Sequence, residues 1–306
     1  MKTPRFWNEN NLITKILYPV SLVYGYVTQL RVKKGYRYKS SAKVICIGNI
    51  TAGGVGKTPV AMAVAKKYID EGKKVVFVTR GYKGKLKYIV VDLDKHSAIE
   101  TGDEARLLAS VADVVIAPQR DKGAKIAETL GAEIIIMDDG FQNPYLYKDE
   151  SWLVFDGEIG IGNGMIIPSG PLRETLENGE KRADRVVIMG NDKTGLANKT
   201  KLDVYMGKLV AEPIDVENKK VMAFAGIGRP QKFYNTLKEL GFDVVVTKDF
   251  EDHHNYNNDE LVELIGMAKE KELTLITTQK DYVKIPSEFR NSIKCLKVRA
   301  ELSKYN

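Results

Sequence analysis

The chain has 306 residues, of which 43% are apolar and 28% charged, enough to bury a large core in one big domain or two smaller ones. This composition excludes collagen-like, low-complexity and wholly disordered chains. The formal net charge of +7 lies in the first sixth: residues 1–50 carry nine Lys or Arg against the single acid Glu9, and 38 basic and 39 acidic residues follow. A nucleic-acid binder needs cations spread over a groove, so no nucleic-acid partner is expected.

Residues 16–30 (ILYPVSLVYGYVTQL) run uncharged for fifteen positions, short of the roughly 20 residues a bilayer span needs. No small-residue cleavage pattern follows, so a signal peptide is not expected. Ile13, Ile16, Leu17, Val20, Val23, Tyr24 and Val27 recur at helical spacing, while Thr14, Tyr18, Ser21, Gly25 and Thr28 make a more polar stripe. Arg31, Lys33, Lys34, Arg37 and Lys39 follow with no acid among them. Such a helix either lies on an anionic membrane surface or docks on the protein's own body. Beyond it, strands and helices alternate. Strands are expected at 42–50, 75–85 (the last part a polar, glycine-containing loop), 88–94, 114–118, 133–140, 152–157 and 185–189, and helices over 60–74, 102–112 and 120–132. This is the signature of a doubly wound parallel α/β sheet. Residues 157–174 (GEIGIGNGMIIPSGPLRE) read as a long irregular loop, and loops of that length are usually functional. After a polar stretch at 190–219 a second βα series starts at 221–228, with strands at 242–250 and 273–281 and a helix over 258–271. The expected division is therefore an N-terminal helix and basic segment (1–40), a core (41–215) and a smaller α/β lobe (216–306). Cys46 and Cys295, far apart in apolar runs, read as buried strand thiols.

The strongest chemical signal is strand–TAGGVGKT–helix, Thr51 to Thr58. Unpaired backbone N–H groups and the helix dipole at such a turn favour phosphate. Here Thr51, Ala52, Gly53, Gly54, Val55 and Gly56 form the loop; Lys57 can reach β/γ-phosphates and the Thr58 hydroxyl can bind Mg²⁺. Thr51 stands where the P-loop pattern has its first glycine, and Gly53 and Gly54 supply the flexibility. Asp138 and Asp139 end a buried strand, where open α/β sheets bind ligands, and carboxylates there can hold Mg²⁺. Asp103 either caps the helix that follows it or acts chemically. Two of the chain's three histidines, His253 and His254, adjoin Asp252, and a histidine beside a carboxylate can serve as, or orient, a general base.

Taken together, GNITAGGVGKTP, TRGYKG, GDEARLLA, MDDGFQNP, NGMIIPSGPLRE, AFAGIGRPQKF, DHHNY and TTQKDYVK, in this order, closely resemble the tetraacyldisaccharide 4′-kinases of lipid A synthesis. That family also carries Ser or Thr at the position of Thr51. The resemblance implies ATP and Mg²⁺, phosphorylation of an acylated disaccharide glycolipid to lipid IVA, and monotopic association with the cytoplasmic face of the bacterial inner membrane. It implies two α/β lobes with the substrate cleft between them. By motif, Asp103 matches the residue that promotes attack by the sugar hydroxyl, and His253 its partner across the cleft. His254 stands where an aromatic residue is common, leaving both rings as candidates. Lys57 and Asp138 complete the implied catalytic set, with Thr58, Asp139 and Glu174 around the metal. Arg80, Arg120 and Arg173 lie in the remaining motif segments. A reading from another class is a P-loop ATPase or GTPase acting as a metallochaperone or assembly switch. Against it, the extra early lysine of such loops is absent at Thr51 and Ala52, and no N-K-x-D guanine-reading segment occurs.

Overall fold

Aliphatic runs without polar alternation make strands that must be covered on both faces, and VICIG, VVFVT and IIIMD are such runs. The computed structural model describes residues 4–33 and 38–305, so Lys34 and Arg37 of the basic cluster lie outside the described residues. The first part of the chain contains helix α1 (Leu12–Lys33), strand β1 (Lys43–Gly48), α2 (Lys57–Asp70), β2 (Val75–Thr79), β3 (Ile89–Val90), α3 (Ala98–Thr101), α4 (Asp103–Ala109) and β4 (Asp113–Ile116). Then come α5 (Arg120–Thr129), β5 (Ile134–Asp138), β6 (Glu150–Asp156), α6 (Leu176–Glu180), β7 (Arg185–Met189) and β8 (Asp203–Ala211). The second series is β9 (Lys220–Ala225), α7 (Pro230–Glu239), β10 (Asp243–Asp249), α8 (Asn258–Glu270), β11 (Thr274–Thr278), α9 (Gln279–Tyr282), α10 (Ser287–Arg290), β12 (Lys294–Leu296) and β13 (Val298–Lys304).

The strands form a nine-stranded sheet, β13-β8-β7-β6-β1-β5-β2-β4-β3, and a four-stranded sheet, β10-β9-β11-β12. Pairing in the large sheet is parallel except at its two edges, β3–β4 and β8–β13. Successive β1 residues point to opposite faces. Val44 and Cys46 join one core, with Val78, Met137 and Phe155, and Ile45 and Ile47 join the other, with Val60, Phe77 and Leu108. The small sheet likewise has a core on each face. This is a P-loop NTPase-like α/β fold with a second, smaller α/β lobe.

Four expectations change. The strand over 88–94 shortens to Ile89–Val90, because the Asp92 carboxylate accepts the N–H groups of Asp94 and Lys95 and turns the chain. The polar stretch 190–219 contains β8, whose half-exposed position beside an edge strand tolerates a mixed sequence. The lobe expected over 216–306 loses its end: β13 crosses back and pairs with β8 of the large sheet. Cys46 is buried, whereas Cys295 on β12 is only half-buried.

Helix α1 is seated by its small and polar side chains. Thr14 and Ser21 are buried; the Ser21 hydroxyl donates to that of Ser169 (2.8 Å) and accepts the Ser169 N–H (3.1 Å). A Cβ on Gly25 would lie 2.8 Å from Ile166 Cδ1, so the bare glycine lets the helix approach Ile166 without moving that side chain. The apolar stripe faces outward, with Leu12 72%, Ile16 66% and Val23 64% exposed. No helix among the described residues is long and apolar enough to cross a membrane.

Candidate active site

The P-loop leaves the end of β1 and enters α2. Gly53 has φ +117° and Gly56 +88°, values that favour glycine. Thr51 is buried, and the Asn49 side-chain amide donates to its carbonyl (2.6 Å) and hydroxyl (3.3 Å). The departure from the P-loop pattern is thus a structural anchor. The Ala52 N–H is taken by the Pro171 carbonyl (2.7 Å), so it is not one of the phosphate-facing donors. The N–H groups of Gly53, Gly54, Val55 and Gly56 have no protein partner among the described residues. Gly56 caps α2 without a side-chain bond, leaving the first-turn donors to an anion.

At the end of β5 the Thr58 hydroxyl donates to Asp138 Oδ2 (3.0 Å), while the buried Asp138 Oδ1 has no partner. Burial and then Glu104 push the Asp138 carboxyl up to about 7, with Lys57 opposing. Asp139 adopts φ +53°. Burial raises its pKa, but Lys57, Arg173, Arg80 and Arg120 together hold it below the usual range. Lys57 Nζ lies 3.7 Å from Asp139 Oδ1, and Arg173 Nη1 3.5 Å. Four motif cations therefore gather around one carboxylate, an arrangement suited to a polyphosphate. Arg120 is buried with its Nε unpartnered, and burial lowers its pKa to about 10. Glu174 is engaged by Arg182 and by the Gln142 amide (3.1 Å).

Across the cleft, Gly102 (φ +87°) packs against the Tyr82 carbonyl and precedes α4. It, not Asp103, is the N-cap. The buried Asp103 accepts the Glu104 N–H at Oδ1 (3.0 Å), and its Oδ2 lies 2.8 Å from His253 Nδ1, a contact joining the two lobes. Burial would raise the Asp103 pKa, but the His253 hydrogen bond and the Lys280 charge bring it below normal. His253 holds φ +67° and its N–H donates to the Gly226 carbonyl (3.1 Å). His254 turns the other way. Its Nε2 meets Glu260 (3.0 Å) and its ring stacks on Phe250 at 4.8 Å. The geometry thus separates the two rings and puts only His253 against Asp103.

The sequence reading assigned no role to Glu104, Gln142, Arg182 or Lys280, although GDE, MDDGFQ and TTQKD contain three of them. Their signal was proximity to motif residues; their function is set by tertiary neighbours. Arg106 is also buried, and its Nε donates to the Val283 carbonyl (3.0 Å), a second tie between the lobes.

A sequence profile of the family described as tetraacyldisaccharide-1-P 4′-kinase matches residues 13–306. A tetraacyldisaccharide 4′-kinase of Paramagnetospirillum magneticum is 41% identical over 304 residues, covering 97% of this chain and 94% of that one. One from Rhodospirillum centenum is 41% identical over 309 residues, covering 97% and 92%. The crystal structure of the "apo" form of LpxK from Aquifex aeolicus in complex with ATP superposes with a TM-score of 0.75 at 28% identity, covering 95% of this chain and 96% of that one.

Proposed function

The chain belongs to the tetraacyldisaccharide-1-phosphate 4′-kinase family, and from that premise we infer that its cleft transfers the γ-phosphoryl group of ATP to the 4′-hydroxyl of an acylated disaccharide 1-phosphate, forming lipid IVA. It is an ATP-dependent kinase of lipid A biosynthesis. The observation that carries the mechanism is the 2.8 Å contact between Asp103 and His253, made across the same cleft that the P-loop enters from the end of β1. The Gly53–Gly56 amides and Lys57 hold the phosphates. Arg80, Arg120 and Arg173 add positive charge around them. The 4′-oxygen forms a bond to the γ-phosphorus, the bond to the bridging β–γ oxygen breaks, ADP leaves, and the hydroxyl proton passes to Asp103. His253 donates to that carboxylate and orients it.

The residues present fit Mg²⁺. Asp138 has an unpartnered buried oxygen beside the Thr58 hydroxyl, and hard oxygen donors with nucleotide phosphates are what this ion takes. Thr58, Asp138 and Asp139 would hold it, and it would neutralise charge on the β- and γ-phosphates. Glu174, held by Arg182 and Gln142, supports this set through Gln142, whose Oε1 accepts from Arg173 at 3.3 Å.

Helix α1 supports association with a membrane. Eight Leu, Ile and Val side chains between Leu12 and Leu30 stand exposed. Leaving such a face in water forgoes on the order of 10 kcal/mol, at about 1.5–3 kcal/mol for each side chain fully buried. An acylated substrate stays in its bilayer, so an enzyme lying on the cytoplasmic face of the inner membrane meets it there, with the exposed Arg31 and Lys33 toward anionic headgroups. The test is radiolabelled phosphate transfer from ATP to tetraacyldisaccharide 1-phosphate, presented in anionic vesicles and in detergent. Wild type labels the acceptor in both, while Ile16→Asp/Val23→Asp loses labelling and partitioning with vesicles only. ATP turnover indifferent to the acceptor would sink the kinase reading. Unchanged vesicle partitioning by the double variant would sink the role of α1.

A further inference from the structure

The motif TTQKD contributes a lysine to the cleft that the mechanism above does not use. Strand β11 ends at Thr278, whose hydroxyl accepts the Asp281 N–H (3.1 Å) and starts α9, so Lys280 sits on a turn fixed at its base. The base is the buried Asp281. It accepts the Gly226 N–H (3.0 Å) and the Thr278 hydroxyl (2.7 Å), and it pairs with the buried Lys284 (2.6 Å). Gly226 in turn accepts the His253 N–H through its carbonyl (3.1 Å). Lys280 and His253 are thus fastened to one internal scaffold, and the lysine is not a free surface cation. Its Nζ lies 3.1 Å from Asp252 Oδ1, 3.3 Å from His253 Nε2 and 3.8 Å from Asp103 Oδ2.

An ammonium group can only donate. The Nε2 facing it must therefore present a lone pair, and the ring proton must sit on Nδ1, the nitrogen that meets Asp103. We propose that Lys280 is a positioning residue of the phosphoryl transfer: its ammonium selects the Nδ1–H tautomer of His253 and keeps Asp103 an ionised acceptor for the hydroxyl proton. The proposal rests on the reading of Asp103 and His253 as the pair that acts on the hydroxyl. The charged groups facing this cluster are Asp103 and Glu104 from α4, Asp252 beside His253, and Asp281 and Lys284 around α9, with the Tyr82 ring edge-on to His253. The other acids here, Glu104 and Asp252, work against an ionised Asp103. Lys280 is the cation nearest to its Oδ2 among the described residues. Without it, Nε2 faces only Asp252, 3.8 Å away, and an imidazolium between two carboxylates becomes the favoured arrangement.

Lys280→Met keeps the stem and removes the charge; Lys280→Arg keeps the charge. The expected result for Lys280→Met is a fall in kcat of about 10²-fold on the acid side of the pH profile, shrinking as pH rises. The acid limb moves to higher pH, because the Asp103–His253 pair without the neighbouring ammonium takes up a proton earlier. The KM for ATP changes less than about twofold, since uniform binding is untouched. Lys280→Arg restores the limb. A second readout needs no activity: ¹⁵N imidazole shifts, assignable because the chain has three histidines. They should report Nδ1–H for His253 in wild type and a protonated or mixed ring in Lys280→Met. A raised KM for ATP with normal kcat would make Lys280 a phosphate ligand instead and overturn the proposal. A loss of equal size at every pH, with unchanged ring shifts, would reduce it to a structural tie. If Asp103→Ala and His253→Ala abolish transfer while Lys280→Met matches wild type, only this proposal falls. If those two variants retain transfer, the reading beneath it falls as well.

Discussion

The two lobes bring different kinds of construction to the cleft. On the large lobe the phosphate end is eight consecutive residues, Thr51–Thr58, whose working parts are mostly backbone N–H groups. On the other side, the contact proposed to act on the hydroxyl joins residues 150 positions apart, Asp103 and His253, and depends on side chains ordered by Lys280 and Asp281. A backbone device is spelled out locally, because turn geometry and a helix start make it. A side-chain device exists only once two cores have folded and docked. The two halves should therefore fail differently when they are damaged.

The largest effect is expected at the phosphate end. Lys57→Ala removes the charge beside the transferring phosphate and leaves a P-loop that still folds, because Thr51 and Asn49 anchor it from within. Transfer should fall by about 10³-fold or more, with weaker ATP binding as well. Single-turnover transfer and nucleotide titration measure the two parts. A folded Lys57→Ala enzyme with near-normal turnover would remove the P-loop from the mechanism.

The cross-lobe pair should show the opposite split. Asp103→Ala and His253→Ala are each expected to lower kcat by about 10²-fold or more, while the KM for ATP moves little, because neither group touches the nucleotide before the transition state. The double variant should be barely worse than either single one, as for two members of one unit. Additive losses would show that the 2.8 Å contact does not act as a unit.

The same contrast explains what was legible in the sequence. The sheet was readable because β1, β2 and β5 are unbroken buried runs, and the P-loop because its glycines are local. β8 was hidden, since its partner β13 lies almost a hundred residues away and lets one face stay wet. The outward apolar face of α1 was also hidden. Periodicity gives the stripe but not which side docks, and here the small residues Thr14, Ser21 and Gly25 do. Lys280 stood in a quoted motif, yet a lysine after a buried strand has no assigned task until His253 Nε2 is seen 3.3 Å away. Choosing between two adjacent histidines was beyond sequence, because the choice is made by the left-handed backbone at His253.

That choice supports the smallest and most discriminating prediction. His254 stacks on Phe250, meets Tyr256 edge-on and binds Glu260, whose carboxylate also accepts the Asn257 N–H in the capping box of α8. Its work is to fasten the loop from within the small lobe. His254→Phe keeps the ring stack and gives up one partly exposed hydrogen bond, so it should cost about 1 kcal/mol of stability or less. Glu260 retains its Asn257 bond, so α8 keeps its cap. kcat should stay within about threefold of wild type, well above His253→Ala at the next position. The two variants are best compared at saturating ATP, with thermal unfolding followed in parallel. A His254→Phe loss as deep as that of His253→Ala, in a protein of near-normal stability, would mean that the wrong ring faces the substrate and that the contact with Asp103 is structural.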